Sequence, residues 1–221
     1  MKCSVCSSEI NDKYCSKCGQ YYNGGRINFI TFLGDLFGSI FSLEKSFFRN
    51  IRIGLSQPKT LVLNYWNGFR KFYYSPGKFF TMASLFILLH YIFAKDFLGV
   101  SITSKASTQF ILLSFNIFIL TFLSFITFFK YKRNLYEHLV LNIYNVSLWT
   151  IVFVPISITL NLLNTSNFIE QFFFIPYHLL IIIWNSRAFD MSKLKRITYV
   201  ILNLILFYGI ILLLIYKFGE F

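Results

Sequence analysis

The chain has 221 residues, of which 56% are hydrophobic, 21% aromatic and only 14% charged, and it carries a formal net charge of +12. A soluble domain carries about 25% charged residues and a disordered chain is poor in aromatics, so both classes are excluded, and 11 glycines with 4 prolines exclude a collagen-like or linker-like chain. An integral membrane protein with a small polar head is what remains.

All four cysteines fall in the first 18 residues, as Cys3-x2-Cys6 and Cys15-x2-Cys18, with Gly19 after the last. Paired CxxC knuckles are thiolate-ligand spacing, and four thiolates around Zn2+ leave no open position for water or substrate. The site is therefore expected to be structural, with the metal supplying folding energy that a segment without a core lacks. The alternative, two redox-active CxxC pairs, would need a thioredoxin-like βαβ pattern around them, and the sequence has none. Thiolate ligands also imply a reducing compartment. Such a ribbon, assigned to residues 1–22, binds a protein, a nucleic acid or only its own scaffold; Lys2, Lys13 and Lys17 make a thin basic patch, which argues against nucleic acid. The first twenty residues contain no apolar run or small-residue cleavage site, so no cleaved signal peptide is expected.

Residues 27–78 read as an amphipathic, interfacial segment. Phe29, Ile30, Leu33, Leu36, Phe37, Ile40 and Phe41 recur at helical steps over 27–41, a stretch too short to span a bilayer. A second helix is expected after Ser42 as N-cap, with Glu44 in its first turn and Lys45, Arg49 and Arg52 reaching toward anionic headgroups. Gln57-Pro58 should break it and open a third, with Gly68 as C-cap. Arg70, Lys71, Tyr73 and Tyr74 form a basic-aromatic boundary band, and Ser75-Pro76 starts the first span.

Residues 79–221 contain five apolar segments, at 79–97, 109–129, 139–163, 168–185 and 197–216, each near the ~20 residues that a bilayer core requires. The first of them should act as an uncleaved anchor. Of the 21 lysines and arginines, 18 precede the first span or lie in the second and fourth loops, and 3 lie on the other side. Under the positive-inside rule this places the N-terminus in the cytoplasm and the C-terminus outside, and it accounts for the basic charge without nucleic acid. The sequence thus predicts an all-α membrane protein of about five spans, preceded by interfacial helices and a zinc ribbon.

One ordered set of motifs carries a resemblance. The ribbon ends Tyr14-Cys15-Ser16-Lys17-Cys18-Gly19-Gln20 and is followed by a Phe-rich stretch. Pro58 through Tyr65, then Gly68-Phe-Arg-Lys-Phe-Tyr-Tyr-Ser-Pro76, Tyr136-Glu137-His138-Leu-Val140 and Asn185-Ser-Arg-Ala-Phe189 come next. In this order they resemble the bacterial domain-of-unknown-function family 3667, frequent in Bacteroidota, of ribbon-headed multi-pass membrane proteins. The resemblance implies a shared architecture in a bacterial inner membrane and transfers no catalytic role.

Ionisable and amide groups within spans are costly and often functional. His90 and His178 are expected near mid-membrane in spans one and four, and His138 near the cytoplasmic surface, so one metal bound by all three is disfavoured. Glu137 and His138 form the best candidate polar pair, with His138, Asn142 and Asn145 on one helical face. That face would line a hydrated cleft, bind a lipid headgroup or a substrate, or contact another span. The simpler reading pairs Glu137 with Lys132, Arg133 or Arg187 and makes the asparagines glue between helices. Pro155 and Pro176 are expected to kink their helices, and no inverted repeat is found that would make them marks of a transport site.

Three functional classes follow. A non-enzymatic scaffold or adaptor would use the ribbon to recruit a cytosolic protein or to fix the interfacial helices. A small transporter, channel or lipid-handling protein would use Glu137, His138, Asn142 and Asn145, with His90 and His178, as its path. An intramembrane enzyme would need Glu137 or a histidine as general base, and no nucleophile or open metal site accompanies them. The scaffold reading is preferred, with no catalytic residue assigned.

Overall fold

The computed structural model describes residues 2–22, 27–32, 47–70, 73–94, 97–98, 108–163 and 171–218. Seven α-helices and one 3-10 turn make up the regular structure among them, with no β-strand beyond isolated bridges. Residues 33–41 of the first amphipathic stretch, together with Ser42, Glu44, Lys45 and Glu170, lie outside the described residues. The described start of that stretch agrees with a helix: Asn28 Oδ1 accepts the Thr31 amide at 2.8 Å while Thr31 Oγ1 accepts the Asn28 amide at 3.0 Å.

Helices α1 (Phe47–Ser56) and α2 (Pro58–Trp66) meet at Gln57, as the Gln-Pro pair predicts. Helix α2 ends in a Schellman motif: the Phe69 amide donates to Asn64 O at 2.8 Å and the Gly68 amide to Tyr65 O at 3.1 Å. Gly68 holds φ +87°, the left-handed region, which explains glycine there. Ser75 caps α3 (Pro76–Phe93), its hydroxyl accepting the Lys78 amide, and Pro76 takes the first helical position, where no donor is needed.

The remaining helices are α4 (Thr108–Thr127), α5 (Leu135–Leu162), α6 (Phe174–Arg187) and α7 (Lys193–Phe218), with a 3-10 turn at Phe129–Tyr131 between α4 and α5. Side-chain pairs fix their directions. Along α5, Tyr144 meets Phe79 and Ser157 meets His90, so α3 and α5 run parallel. Ser124 of α4 meets His138 and Asn142, near the start of α5. In α6, Tyr177 meets Thr150 and the later Asn185 meets Asn145, so α6 runs against α5. Phe207 of α7 packs against His178, while the earlier Asn203 reaches Thr127 at the end of α4. Successive helices of the body therefore alternate in direction.

Among the described residues, three helical stretches are long and apolar enough to cross a membrane: Pro76–Phe93, Leu135–Leu162 and Lys193–Leu214. They sit differently. The most apolar window of α5 is 78% buried and that of α7 only 11%, so α5 is the central post and α7 faces outward. Leu194, Ile197, Ile201, Ile205, Leu212 and Leu213 are all exposed on α7, an apolar face that water would not tolerate and lipid would. Leu113–Thr127 forms a shorter apolar stretch. Helix α6 has 14 residues, about 21 Å of axis against a hydrocarbon core of about 30 Å. The sequence predicts its span from 168, whereas the helix begins at Phe174, and Pro176 thereby falls in the first turn, where it breaks nothing. Pro155 is carried inside α5 without ending it.

The pair α1–α2 packs on this body. Leu148 of α5 lies close to the Gly54 backbone, where an added Cβ would meet its side chain at 3.1 Å. The Trp184 indole donates to Gly54 O at 3.0 Å, and Asn50 Oδ1 accepts the Tyr74 amide at 2.9 Å. Tyr144, fully buried, donates its hydroxyl to Tyr74 O at 2.7 Å and packs its ring against Tyr65 and Phe79. These contacts explain why the buried face of α1 carries an amide and a glycine instead of bulky apolar groups.

Candidate metal site and a buried polar seam

The two knuckles repeat one local geometry at an offset of twelve residues. Ser7 donates its amide to Cys3 O at 3.0 Å, and Gly19 to Cys15 O at 2.8 Å. Both residues hold a left-handed backbone, φ 59° at Ser7 and 70° at Gly19. Cys3 and Cys15 each donate an amide five residues onward, to Ser8 O and Gln20 O, and antiparallel bridges Lys2–Glu9 and Tyr14–Tyr21 flank the turns.

The result brings the four sulfurs to within 4.8 Å of one another. The shortest separations run between knuckles, Cys3 Sγ to Cys18 Sγ and Cys6 Sγ to Cys15 Sγ, both 3.5 Å. A disulfide would bring two sulfurs to about 2 Å, and all four cysteines are free. Metal–sulfur bonds of about 2.3 Å in a tetrahedron put the sulfurs about 3.8 Å apart, so the cluster can hold a metal ion through four thiolates. Ser8 Oγ lies 2.8 Å from Cys6 Sγ and 3.1 Å from Cys15 Sγ, and this hydroxyl is the main reason both thiols are lowered, Cys15 to about 6. The Gln20 amide favours the Cys18 thiolate, yet burial and the neighbouring thiols leave that thiol raised to about 12.

The cysteine-bearing segment is not a free head. Phe69, from the turn after α2, is buried together with Cys3, Ile10 and Cys15, and its ring lies 5.3 Å from that of Tyr22, with which it also forms a backbone bridge.

Glu137, Asn142, Asn145 and His138 are brought together, but not as one open face. Glu137 closes the cap of α5: its carboxylate accepts the Asn134 amide at 2.8 Å, and Asn134 Oδ1 accepts the Glu137 amide at 2.8 Å. Arg133 reaches the same carboxylate at 3.1 Å and lies over the Trp66 ring at 4.6 Å. The Trp66 indole donates to Glu137 O at 3.0 Å. Arg133 is one of the partners predicted for Glu137.

The other three residues join a chain of amides. Asn145 Nδ2 donates to Asn185 Oδ1 and Asn185 Nδ2 to Asn142 Oδ1, both at 2.7 Å. Asn142 Nδ2 donates to Ser124 Oγ at 3.0 Å, and Ser124 gives its own hydrogen to Thr121 O. With that hydrogen used, His138 Nδ1, 3.1 Å from Ser124 Oγ, must be the donor. Its Nε2 is left as a buried acceptor with no hydrogen-bond partner among the described residues, the ring lying between Phe125 and Phe189. The seam thus ties α4, α5 and α6 together.

His90 and His178 are not part of it. His90 sits in the last turn of α3, not at the middle of a span, with Nε2 2.8 Å from Ser157 Oγ. His178 lies near the start of α6, held by Phe174 O at 2.9 Å and Asn116 Oδ1 at 3.3 Å. Each histidine has its own partner set, and the cysteine cluster is the one group of metal-ligating side chains found among the described residues. Sequence reasoning missed Asn185 and Ser124 as members of the seam, although an amide inside the run Leu-Ile-Ile-Ile-Trp-Asn carries the same cost that marked Asn142.

Comparison with protein-family models, with characterised proteins and with solved structures finds no match to this chain.

Proposed function

We propose that this chain is a five-span protein of the bacterial inner membrane whose cytoplasmic ribbon holds a structural Zn2+, and that it works as a non-enzymatic scaffold or adaptor. The architecture is the one implied by its resemblance to the ribbon-headed family. The alternating helix directions support five crossings, with α6 and the apolar part of α4 as the short ones, completed at their ends by Trp and Arg side chains such as Trp184 with Arg187 at 4.2 Å. Lys59, Arg133, Arg187 and Lys195 all lie at the ribbon end of the bundle, suited to anionic headgroups of the inner leaflet.

The observation that carries the adaptor reading is the seating of the ribbon on Phe69, which fixes its direction relative to the helical body. Four thiolates around one ion leave nothing for catalysis. The exposed turn 11–14, with Tyr14 about half exposed, is the surface held out toward a cytosolic partner. The polar seam supports the same reading, because its amides satisfy one another across helices, the role polar groups play in holding membrane helices together.

Co-purification from detergent-solubilised membranes tests this, with the native chain and with Cys15→Ser/Cys18→Ser. Loss of the partner from the double variant, with helicity retained, is the expected result; an unchanged partner set would overturn recruitment by the ribbon. A Glu137→Gln chain that alters flux or lipid transfer in liposomes would favour the transport reading instead.

A further inference from the structure

The ribbon reaches the N-terminus of the central helix through Phe69. The ribbon's own buried apolar set is Cys3, Ile10 and Cys15, so Phe69 is the largest side chain in its core. Three residues back, Trp66 is bonded to Glu137 O and covered by Arg133. The turn between them has little slack, because the Schellman bonds from Phe69 to Asn64 and from Gly68 to Tyr65 fasten it to α2. A second contact on that cap comes from Ile27, fully buried, whose carbonyl accepts from Asn134 Nδ2 at 2.9 Å. Asn134 is the cap of α5, and Glu137 is its reciprocal partner.

Both contacts fall on the capping box of α5, Trp66 on Glu137 and Ile27 on Asn134. Metal ligation is what orders a segment with so small a core, so whatever holds the cysteines together also holds Phe69 in its seat. We propose that occupancy of the four-cysteine site is coupled through Phe69 to the cap of α5, so that loss of the metal loosens the Asn134–Glu137–Arg133–Trp66 cluster. The proposal rests on the reading of the cysteines as a structural metal site. The coupling is reciprocal: if docking of Phe69 favours metal binding, removing Phe69 weakens it by the same factor.

The experiment uses the full chain in lipid nanodiscs, loaded with Zn2+ and then stripped with a chelator. Metal content and backbone hydrogen exchange are followed together. Stripping should raise exchange at 64–70 and 133–138 and leave 145–157, in the middle of α5, unchanged. Phe69→Ser should weaken Zn2+ binding about tenfold in a competition titration, and the metal should then no longer alter exchange at 133–138. A chain that takes up no metal at all removes the metal reading itself. A chain that binds one ion, with changed exchange confined to residues 2–22 and unaltered affinity in Phe69→Ser, keeps that reading and overturns the coupling.

Discussion

Asn185 makes two bonds of 2.7 Å inside the bundle, one as acceptor from Asn145 and one as donor to Asn142. Interhelical bonds of this kind contribute about 0.6 kcal/mol each on average, with a maximum near 1.7. Asn185→Ala cuts both and leaves two buried amides with a free valence, so a loss of about 1–3 kcal/mol is expected in reversible unfolding in mixed micelles. Asn145→Ala, which removes one end of the chain, should cost less. Equal effects would mean that the amides do not act as one chain. At the cysteines, protons and metal compete for the same sulfurs. Cys15, at about 6, is already ionised at neutral pH, whereas Cys18, at about 12, would yield its proton to a bound metal throughout. Metal affinity should therefore fall on acidification, and its slope against pH should steepen by up to about one proton below pH ~6. A chelator competition series from neutral to acidic pH reads this directly, and a flat profile would contradict it. The cysteines were legible because their spacing is local. Phe69 was not, since nothing in its neighbours announces that a ring near residue 70 completes a core begun at Cys3.

At the scale of elements, caps and breaks were the most readable features: Pro58, Gly68 and Ser75-Pro76 all stand where local backbone chemistry puts them. Asn134 was missed as a cap, although Asn followed three residues later by Glu is the pattern of a capping box. Glu137, expected as half of a polar pair with His138, is the third residue of the helix and closes its cap. Asn134→Ala removes the acceptor for the Glu137 amide and the donor to Ile27 O, and is expected to cost about 1–2 kcal/mol. Asn134→Ser restores the first bond and not the second, so it should recover part of the loss in thermal unfolding; full recovery would show that the bond to Ile27 adds nothing. The start of α6 was misjudged because an apolar run signals burial and not helix length, and Pro176 fits a first turn better than an interior.

At the scale of the molecule, the distribution of charge predicts a topology that no single helix could give. Reporter fusions at Lys105 and at the C-terminus are expected to read outside, and one at Ser192 inside. An outside signal at Ser192 would remove the five-crossing arrangement. What sequence periodicity did not convey is the unequal standing of the helices, because apolar residues look alike whether they meet lipid or protein. Only the contacts separate α5, enclosed on most sides, from α7, enclosed on few.

That enclosure bears on biosynthesis. Asn142 and Asn145 leave the ribosome about forty residues ahead of Asn185, which at 5–20 residues per second leaves their carboxamides waiting for roughly 2–8 s. Over that interval α5 would enter hydrocarbon with polar groups that have nothing to bond. Nascent chains arrested before residue 185 should crosslink to the insertion machinery from Asn142 and Asn145, and the crosslinks should fade once the later helix has emerged.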